Sequence, residues 1–256
     1  MTEVEWGRLR APQLRALAAQ GAVAILLVGS IEQHGPHLPT QVDALLAGEV
    51  ARRAARRAAA TTPVVVAPTV WSGLAEHHMS LGATLSIDFD AFFALLRGLT
   101  RSLVRHGFRR VLLLNGHGGN IAALTVIANE LGVELDAPIA TASYWLLARD
   151  GFKAILERQT TVRHACEAET SMLLALAPEL VDMDAVRDVV GPTERELAEI
   201  AGPDAHRWRS FKARTSHGVI GDPRAASAEK GERLLEAAAD AVAKLVANRE
   251  FWTLPA

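Results

Sequence analysis

Carboxylate and imidazole side chains collect in a few short segments, and their spacing indicates a metal site. Glu32 and His34 lie two residues apart, Asp43 follows, and His117 lies in the glycine-rich run 115–120. Residues i and i+2 of an extended segment point to the same side, so Glu32 and His34 can face one metal ion or a metal pair. Glycines beside His117 permit a close backbone approach. A mixed histidine and carboxylate set favours Zn²⁺, Mn²⁺ or Fe²⁺ over Ca²⁺.

Further polar and aromatic side chains follow the second and fourth predicted strands. We expect them to bind the substrate, and they are Glu76, His77, His78, Tyr144 and Trp145. Together with Trp71, the aromatic residues are expected to form the apolar wall of a ligand pocket.

Alternating strand-length apolar runs and helical patterns must position these side chains. The predicted strands cover 22–28, 63–70, 110–114 and 139–144, and the predicted helices cover 43–60, 90–106, 121–131, 168–176 and 228–248. The alternation predicts an α/β fold of three layers, with a central mainly parallel sheet flanked by helices. Ligands bind such sheets at the carboxyl ends of the strands, which is where the polar clusters lie. No repeat or linker divides the chain, so we expect a single domain over 1–256, with a long loop or lid over 191–223.

Composition excludes several classes of partner. The 256 residues include 27 basic and 29 acidic side chains, and the net charge is −2. This balance predicts no nucleic-acid and no membrane partner. The N-terminus has no secretory pattern, the apolar runs are too short to span a bilayer, and the single cysteine, Cys166, excludes an internal disulfide. We therefore expect a cytoplasmic protein.

Other interpretations use some of the same residues. The run NGHGGN at 115–120 could cradle a phosphate at a helix N-terminus, but it lacks the Lys-Ser/Thr of a P-loop. Cys166 could be a nucleophile, with His164 two residues away as its nearest partner in sequence. Asp43 could be only a helix N-cap. None of these accounts for all the clustered histidines and carboxylates together.

Three ordered motifs resemble the signature segments of the creatininase family of amidohydrolases. They are GSIEQHGPHLPTQVD at 29–43, NGHGGN at 115–120 and HACEAETS at 164–171. The resemblance implies a site with two divalent metal ions, in which Glu32 and His34 bind different ions, Asp43 bridges them and His117 is a further ligand. It also implies that His164 is the catalytic histidine and that the protein is a homo-oligomer, a hexamer in the best-known members.

The chain departs from creatininase itself at the second motif. Gly119 stands where that enzyme has a metal-binding glutamate, so the missing carboxylate must come from elsewhere. Either Glu167 or Glu169 could supply it. We assign Glu169 to the metal and Glu167 to catalysis, as a proton relay or by orienting His164.

These features together predict a metal-dependent amidohydrolase. Its expected substrate is a small polar molecule with a cyclic amide, lactam or formamide bond, attacked by a metal-activated water. Two alternatives stay open: a metal-dependent isomerase or lyase acting on a sugar-like substrate, and a non-catalytic metal- or ligand-binding protein.

Overall fold

The computed structural model describes residues 2–192, 196 and 207–253. A parallel sheet with the strand order β2-β1-β3-β4 forms its centre. The strands are β1 (Val23–Val28), β2 (Val64–Val66), β3 (Arg110–Asn115) and β4 (Ile139–Ser143). The α-helices are α1 (Ala11–Ala19), α2 (Val42–Ala58), α3 (Phe89–Arg105), α4 (Ile121–Leu135), α5 (Tyr144–Leu147), α6 (Arg149–Ile155), α7 (Glu167–Leu176), α8 (Met183–Val186) and α9 (Ala228–Ala247).

Strand β1 shows why the sheet needs helices on both faces. All six of its side chains are buried, as expected of a central parallel strand covered on two sides. Alternate residues point to opposite faces: Ile25 packs in a core with α2, α7 and α9, whereas Leu26 packs in a second core with α3 and α4. The predicted α/β fold of three layers is therefore confirmed.

Several helices and strands differ from the prediction in where they end or in whether they were predicted at all. Strand β2 ends at Val66, although an extended strand was expected to residue 70. Pro68 has no N–H to donate to the ladder, which explains the early end. Helices α1, α5, α6 and α8 were not predicted. In 191–223, the described residues are mostly irregular, with short 3-10 turns at Phe211–Ala213 and Pro223–Ala225; the rest of the predicted lid lies outside the described residues.

Among the described residues, no helix has both the length and the apolar character that a membrane span requires.

Candidate metal centre

The carboxyl ends of β1 and β3 bring the first two motifs together. Val28 pairs with Asn115 in the sheet, so the segments that follow the two strands start side by side. Asp43 lies in the first turn of α2, and Gly116 packs directly against it. A Cβ atom at Gly116 would lie 2.5 Å from the Asp43 carbonyl oxygen, which no real side chain tolerates. Glycine at this position therefore permits the contact between the β3 loop and α2.

Four side chains from these segments meet in a buried cluster. The Nδ1 atom of His117 lies 2.8 Å from Glu32 Oε2 and 3.1 Å from Asp43 Oδ2. On the other side of Asp43, its Oδ1 lies 3.3 Å from His34 Nε2. Glu169, from the first turn of α7, joins this second side.

Two groups of potential ligands share one carboxylate. Glu32, Asp43 and His117 form the first group, and within it the ligand atoms lie within 4.8 Å of one another. His34, Asp43 and Glu169 form the second by the same measure. A carboxylate has two oxygens, so Asp43 can serve both groups at once. The arrangement is that of a site for two neighbouring cations.

The tautomers of the two histidines fit metal ions. His34 Nδ1 lies 3.0 Å from the Glu32 carbonyl oxygen, and His117 Nε2 lies 3.2 Å from the Leu74 carbonyl oxygen. Each of these nitrogens must donate to its carbonyl, so in the neutral ring that a metal requires, the other nitrogen has a lone pair that faces carboxylates. Such backbone hydrogen bonds are how metal-binding histidines are usually oriented.

With neutral imidazole rings, buried polar atoms of the cluster also lack a hydrogen-bond partner. They are Glu32 Oε2, His34 Nε2 and Asp43 Oδ2. Lone pairs that face one another in a buried site repel unless a proton or a cation lies between them. The residues present therefore fit divalent metal ions.

The electrostatics of the cluster without metal lead to the same conclusion. Burial lowers the pKa of His34, but Asp43, with Glu169 and Glu32, outweighs it and raises that pKa to about 9. Burial raises the pKa of Glu169 to about 7. Although burial opposes it, contact with His34 and His117 lowers the pKa of Asp43 to about 2. In the absence of metal, protons on the imidazoles take the place of the missing positive charge.

A single turn positions His164 and Glu169. Between His164 and α7, Ala165 has a φ of +51°, a left-handed conformation that is uncommon outside glycine. The Ala165 amide donates to Glu169 Oε2 at 2.6 Å. His164 Nε2 donates to the Gln33 carbonyl at 2.7 Å, so its Nδ1 lone pair faces Glu32 Oε1, 3.4 Å away. Burial, followed by His34 and His78, holds the pKa of His164 well below its usual value, so the ring is neutral.

Gln33 is a site residue that the sequence analysis missed. Its side-chain amide nitrogen lies 2.8 Å from His78 Nδ1 and 3.1 Å from His164 Nε2. His78 in turn directs Nε2 toward Glu32 Oε1 at 3.4 Å. The available signal was its position between Glu32 and His34 in the first motif.

The structure does not bring Glu167 to the cluster. Its buried carboxylate accepts hydrogen bonds from the backbone amides of Glu157 and Arg158 and from Lys230 Nζ at 2.7 Å. It belongs to none of the ligand groups found among the described residues, and it does not line the cavity above them. Its contacts tie the chain before α7 to α9, so nothing in this arrangement supports the relay role predicted for Glu167.

A cavity of about 680 Å³ opens onto the cluster. Of the predicted substrate-binding residues, His77, His78 and Trp145 line it. Glu76 is exposed outside it, on the 3-10 segment Glu76–Leu81. Tyr144 is buried in the core beside α2 and α9.

The apolar wall also differs from the prediction. Trp71 is 55% exposed and lines a separate cavity next to α3. Phe211 takes its place beside the cluster, with its ring stacked on His78 at a centroid distance of 4.0 Å. The irregular segment around Phe211 also contributes Trp208, Arg209 and Arg214 to the cavity lining. No sequence motif indicated a role for these three residues.

Comparison with known proteins agrees with this geometry. The family model described as Creatininase, creatinine amidohydrolase, matches residues 7–246. The chain belongs to the creatininase family. Creatinine amidohydrolase from Pseudomonas putida is 31% identical over 255 residues, which cover 92% of each chain. Within the family, the 3-dehydro-scyllo-inosose hydrolase of Thermotoga maritima is 30% identical (96% of this chain, 83% of the relative). A mycofactocin precursor peptide peptidase of Mycolicibacterium smegmatis is 34% identical (86% and 82%).

Solved creatininase structures share the whole fold. A creatinine amidohydrolase structure matches with a TM-score of 0.84 and 29% identity, covering 99% of this chain and all of the other. Another is described as creatininase with Mn, at a TM-score of 0.83, 29% identity and coverage of 98% and 99%.

Gly119 lies where the motif resemblance implies a glutamate in creatininase, and it packs tightly against His117. A Cβ atom at this position would lie 2.4 Å from both His117 Nε2 and the Leu74 carbonyl oxygen. These two atoms form the hydrogen bond that orients His117. No glutamate fits here without displacing that ring, and the structure offers the carboxylate of Glu169 instead.

Proposed function

We propose that this creatininase-family hydrolase uses two divalent metal ions to cleave a cyclic amide, lactam or formamide bond in a small polar substrate. The observation that carries the proposal is the pair of ligand groups that share Asp43 at the base of one cavity. Its relatives act on creatinine, on an inosose derivative and on a precursor peptide, as their names state. Among these, we propose hydrolysis of a C–N bond in a small molecule, as in the creatinine relative.

Each group would hold one ion. Glu32, Asp43 and His117 would hold the first, and His34, Asp43 and Glu169 the second, with Zn²⁺, Mn²⁺ or Fe²⁺ as the ions this donor set suits. When bound, such ions lower the pKa of water and polarise a carbonyl oxygen.

His164 is the residue we assign to proton transfer. It is neutral, and the Gln33 carbonyl fixes its orientation. Its Nδ1 atom faces Glu32 Oε1 of the cluster, and the residue also lines the cavity. This atom can take a proton from the attacking water and deliver it to the leaving nitrogen. His78 and Phe211 pack against its ring, at centroid distances of 4.5 and 4.7 Å, and limit its rotation.

The domain organisation, the oligomeric state and the cellular location of the protein are also part of what we propose. We propose a single domain over 1–256, assembled as a homohexamer and located in the cytoplasm, on the family resemblance and on the single cysteine. Size-exclusion chromatography with light scattering tests the hexamer: a mass near 27.4 kDa would contradict it.

An activity screen with matched variants tests the function. Metal-stripped protein is reloaded with Zn²⁺ or Mn²⁺ and assayed against creatinine, hydantoins, small lactams and formamides. We expect activity only after reloading, and His164→Ala to keep both metals yet lose about 10²–10⁴-fold in turnover. His106→Ala, an exposed histidine at the end of α3, is the control and should change neither.

Two results would refute the proposal. One is full hydrolysis by metal-free protein. The other is a product from ¹⁸O-water without label in the new carboxylate, which would indicate the isomerase or lyase alternative.

A further inference from the structure

Basic side chains line the same cavity as the metal-ligand groups. Arg163, Arg209 and Arg214 contribute to its lining. The only carboxylates among the described lining residues are Glu32, Asp43 and Glu169, and all three belong to the ligand groups. Once metal ions neutralise those carboxylates, the charged side chains that remain among the described lining residues are basic.

Two of these arginines have no counter-charge within the described chain. Neither Arg209 nor Arg214 makes a salt bridge or a side-chain hydrogen bond with any described residue. This contrasts with surface arginines such as Arg53, which binds both Glu49 and Glu232. Arg214 is half-buried, and burial together with the neighbouring charge of Arg209 lowers its pKa. Keeping two like charges close together in a half-buried position is unfavourable unless an anion binds between them.

The segment that carries the pair packs beside the cluster, because the ring of Phe211, which lies between Arg209 and Arg214 in the chain, stacks on His78 at a centroid distance of 4.0 Å. Burial lowers the pKa of His77, and the charges of His117 and then Arg214 lower it further. The His77 ring stacks on His117, a member of the first ligand group, at a centroid distance of 5.6 Å. Arg209 and Arg214 therefore line the same cavity as the metal-ligand groups, and this cavity is large enough for a small molecule.

We propose that Arg209 and Arg214 bind an anionic group of the substrate, a carboxylate or a phosphate, while the scissile amide lies at the metal-ligand groups. A guanidinium pairs with either anion through two parallel hydrogen bonds. This inference rests on the proposed function and narrows it to amides that carry a negative charge beyond the ring. Creatinine, which has no such group, would be a poor substrate.

Calorimetry with a matched probe pair tests the inference. Hydantoin-5-acetate and hydantoin-5-acetamide have the same ring and nearly the same shape, but only the acetate is charged. Each is titrated into metal-loaded protein, wild type and variants. We expect the wild type to bind the acetate at least about ten-fold more tightly than the acetamide. Arg209→Met and Arg214→Met should each remove most of that preference, and Arg214→Lys, which keeps the charge but not the two-pronged geometry, should remove part of it.

The control variant is Arg207→Met. Arg207 is an exposed arginine of the same segment that does not line the cavity, and the preference should survive its loss. Inorganic phosphate and acetate are each titrated into the wild type and into Arg214→Met. The preferred anion is the one whose affinity falls more in Arg214→Met than in the wild type. Metal content and circular dichroism must match the wild type in every variant compared.

Three results would overturn the inference: equal affinity for the two probes in the wild type, no binding of either, or a preference that survives Arg214→Met and Arg209→Met. Because calorimetry needs no turnover, it decides the inference separately from the proposed function. If no amide is hydrolysed yet the acetate preference depends on the arginines, the hydrolase proposal fails and the anion site stands.

Discussion

Gly119→Ala tests whether the hydrogen bond behind His117 determines metal affinity. The new Cβ would lie 2.4 Å from His117 Nε2 and from the Leu74 carbonyl oxygen, and 2.8 Å from His77 Cε1. Because backbone and a buried ring surround it, the methyl group cannot be accommodated by moving a flexible side chain. We expect the His117 ring to tilt and its contact with Leu74 to break.

The size of the effect follows from that contact. Loss of a hydrogen bond that orients a metal-binding histidine typically costs 10–100-fold in metal affinity. Overpacking of a filled interior adds about 1–3 kcal/mol of destabilisation. We therefore expect Gly119→Ala to weaken binding at the group formed by Glu32, Asp43 and His117 by about 10–100-fold, and to lower the free energy of unfolding by a few kcal/mol.

A neighbouring glycine supplies the control. Gly118 lies in the same turn, and a Cβ at Gly118 would meet nothing within 4 Å, so Gly118→Ala should bind metal as the wild type does. Metal content after dialysis at limiting free Zn²⁺ or Mn²⁺, measured by mass spectrometry, compares the two variants, and thermal unfolding gives their stabilities. Equal metal content in both variants would refute the idea that the space around His117 determines ligation.

Three other predictions concern metal stoichiometry, stability and pH. Asp43→Asn should lose both metal equivalents, because its carboxylate serves both ligand groups; two equivalents in elemental analysis would rule out bridging. Glu167→Gln should keep the metals but lower the free energy of unfolding by about 1.5–3 kcal/mol, because it removes the buried charge that pairs with Lys230 and leaves the exposed Glu157 as the partner of that lysine; denaturant titration measures this, and a lost metal would contradict it. Without metal, the stabilisation from His34, whose pKa is raised from 6.5 to about 9, is complete below pH 6.5 and disappears as the pH rises through 9. It amounts to about 3 kcal/mol. Melting temperatures in chelator should therefore fall over this range while stabilisation by added Mn²⁺ grows, and a flat curve in chelator would contradict the assignment.

The fold was predictable because its signals are local. Strand β1 is a continuous apolar run and α3 has a clear helical stripe, so the segments predicted at 22–28 and 90–106 lie within one residue of the observed elements. The predicted strand at 63–70 was longer than β2, because the β-branched residues after Val66 are typical of strands. The chain there does continue to bond with β1, through Ala67 and Val70, but Pro68 interrupts the ladder.

The site was only partly predictable, because motifs indicate which residues gather but not which way they point. Glu167 and Glu169 are two apart in the sequence, but both lie in the first turn of a helix, where residues i and i+2 do not share a face. Glu169 therefore faces the cluster, whereas Glu167 faces Lys230 on α9. Arg209 and Arg214 lie in an irregular segment with no periodic signal, and only the folded chain brings them to the cavity.

At Gly119 we infer that a metal ligand has moved from the loop after β3 to α7 in this chain. Creatininase, by the motif resemblance, takes a carboxylate from the loop after β3, and this chain has no room for one there. Glu169 reaches the same cluster from α7, oriented by the left-handed turn at Ala165. That turn also positions His164, so in this chain one segment orients both the proposed metal ligand and the proposed proton carrier. Disturbing the turn should therefore affect metal binding and proton transfer together, whereas in an enzyme with its carboxylate in the β3 loop the two would be separable.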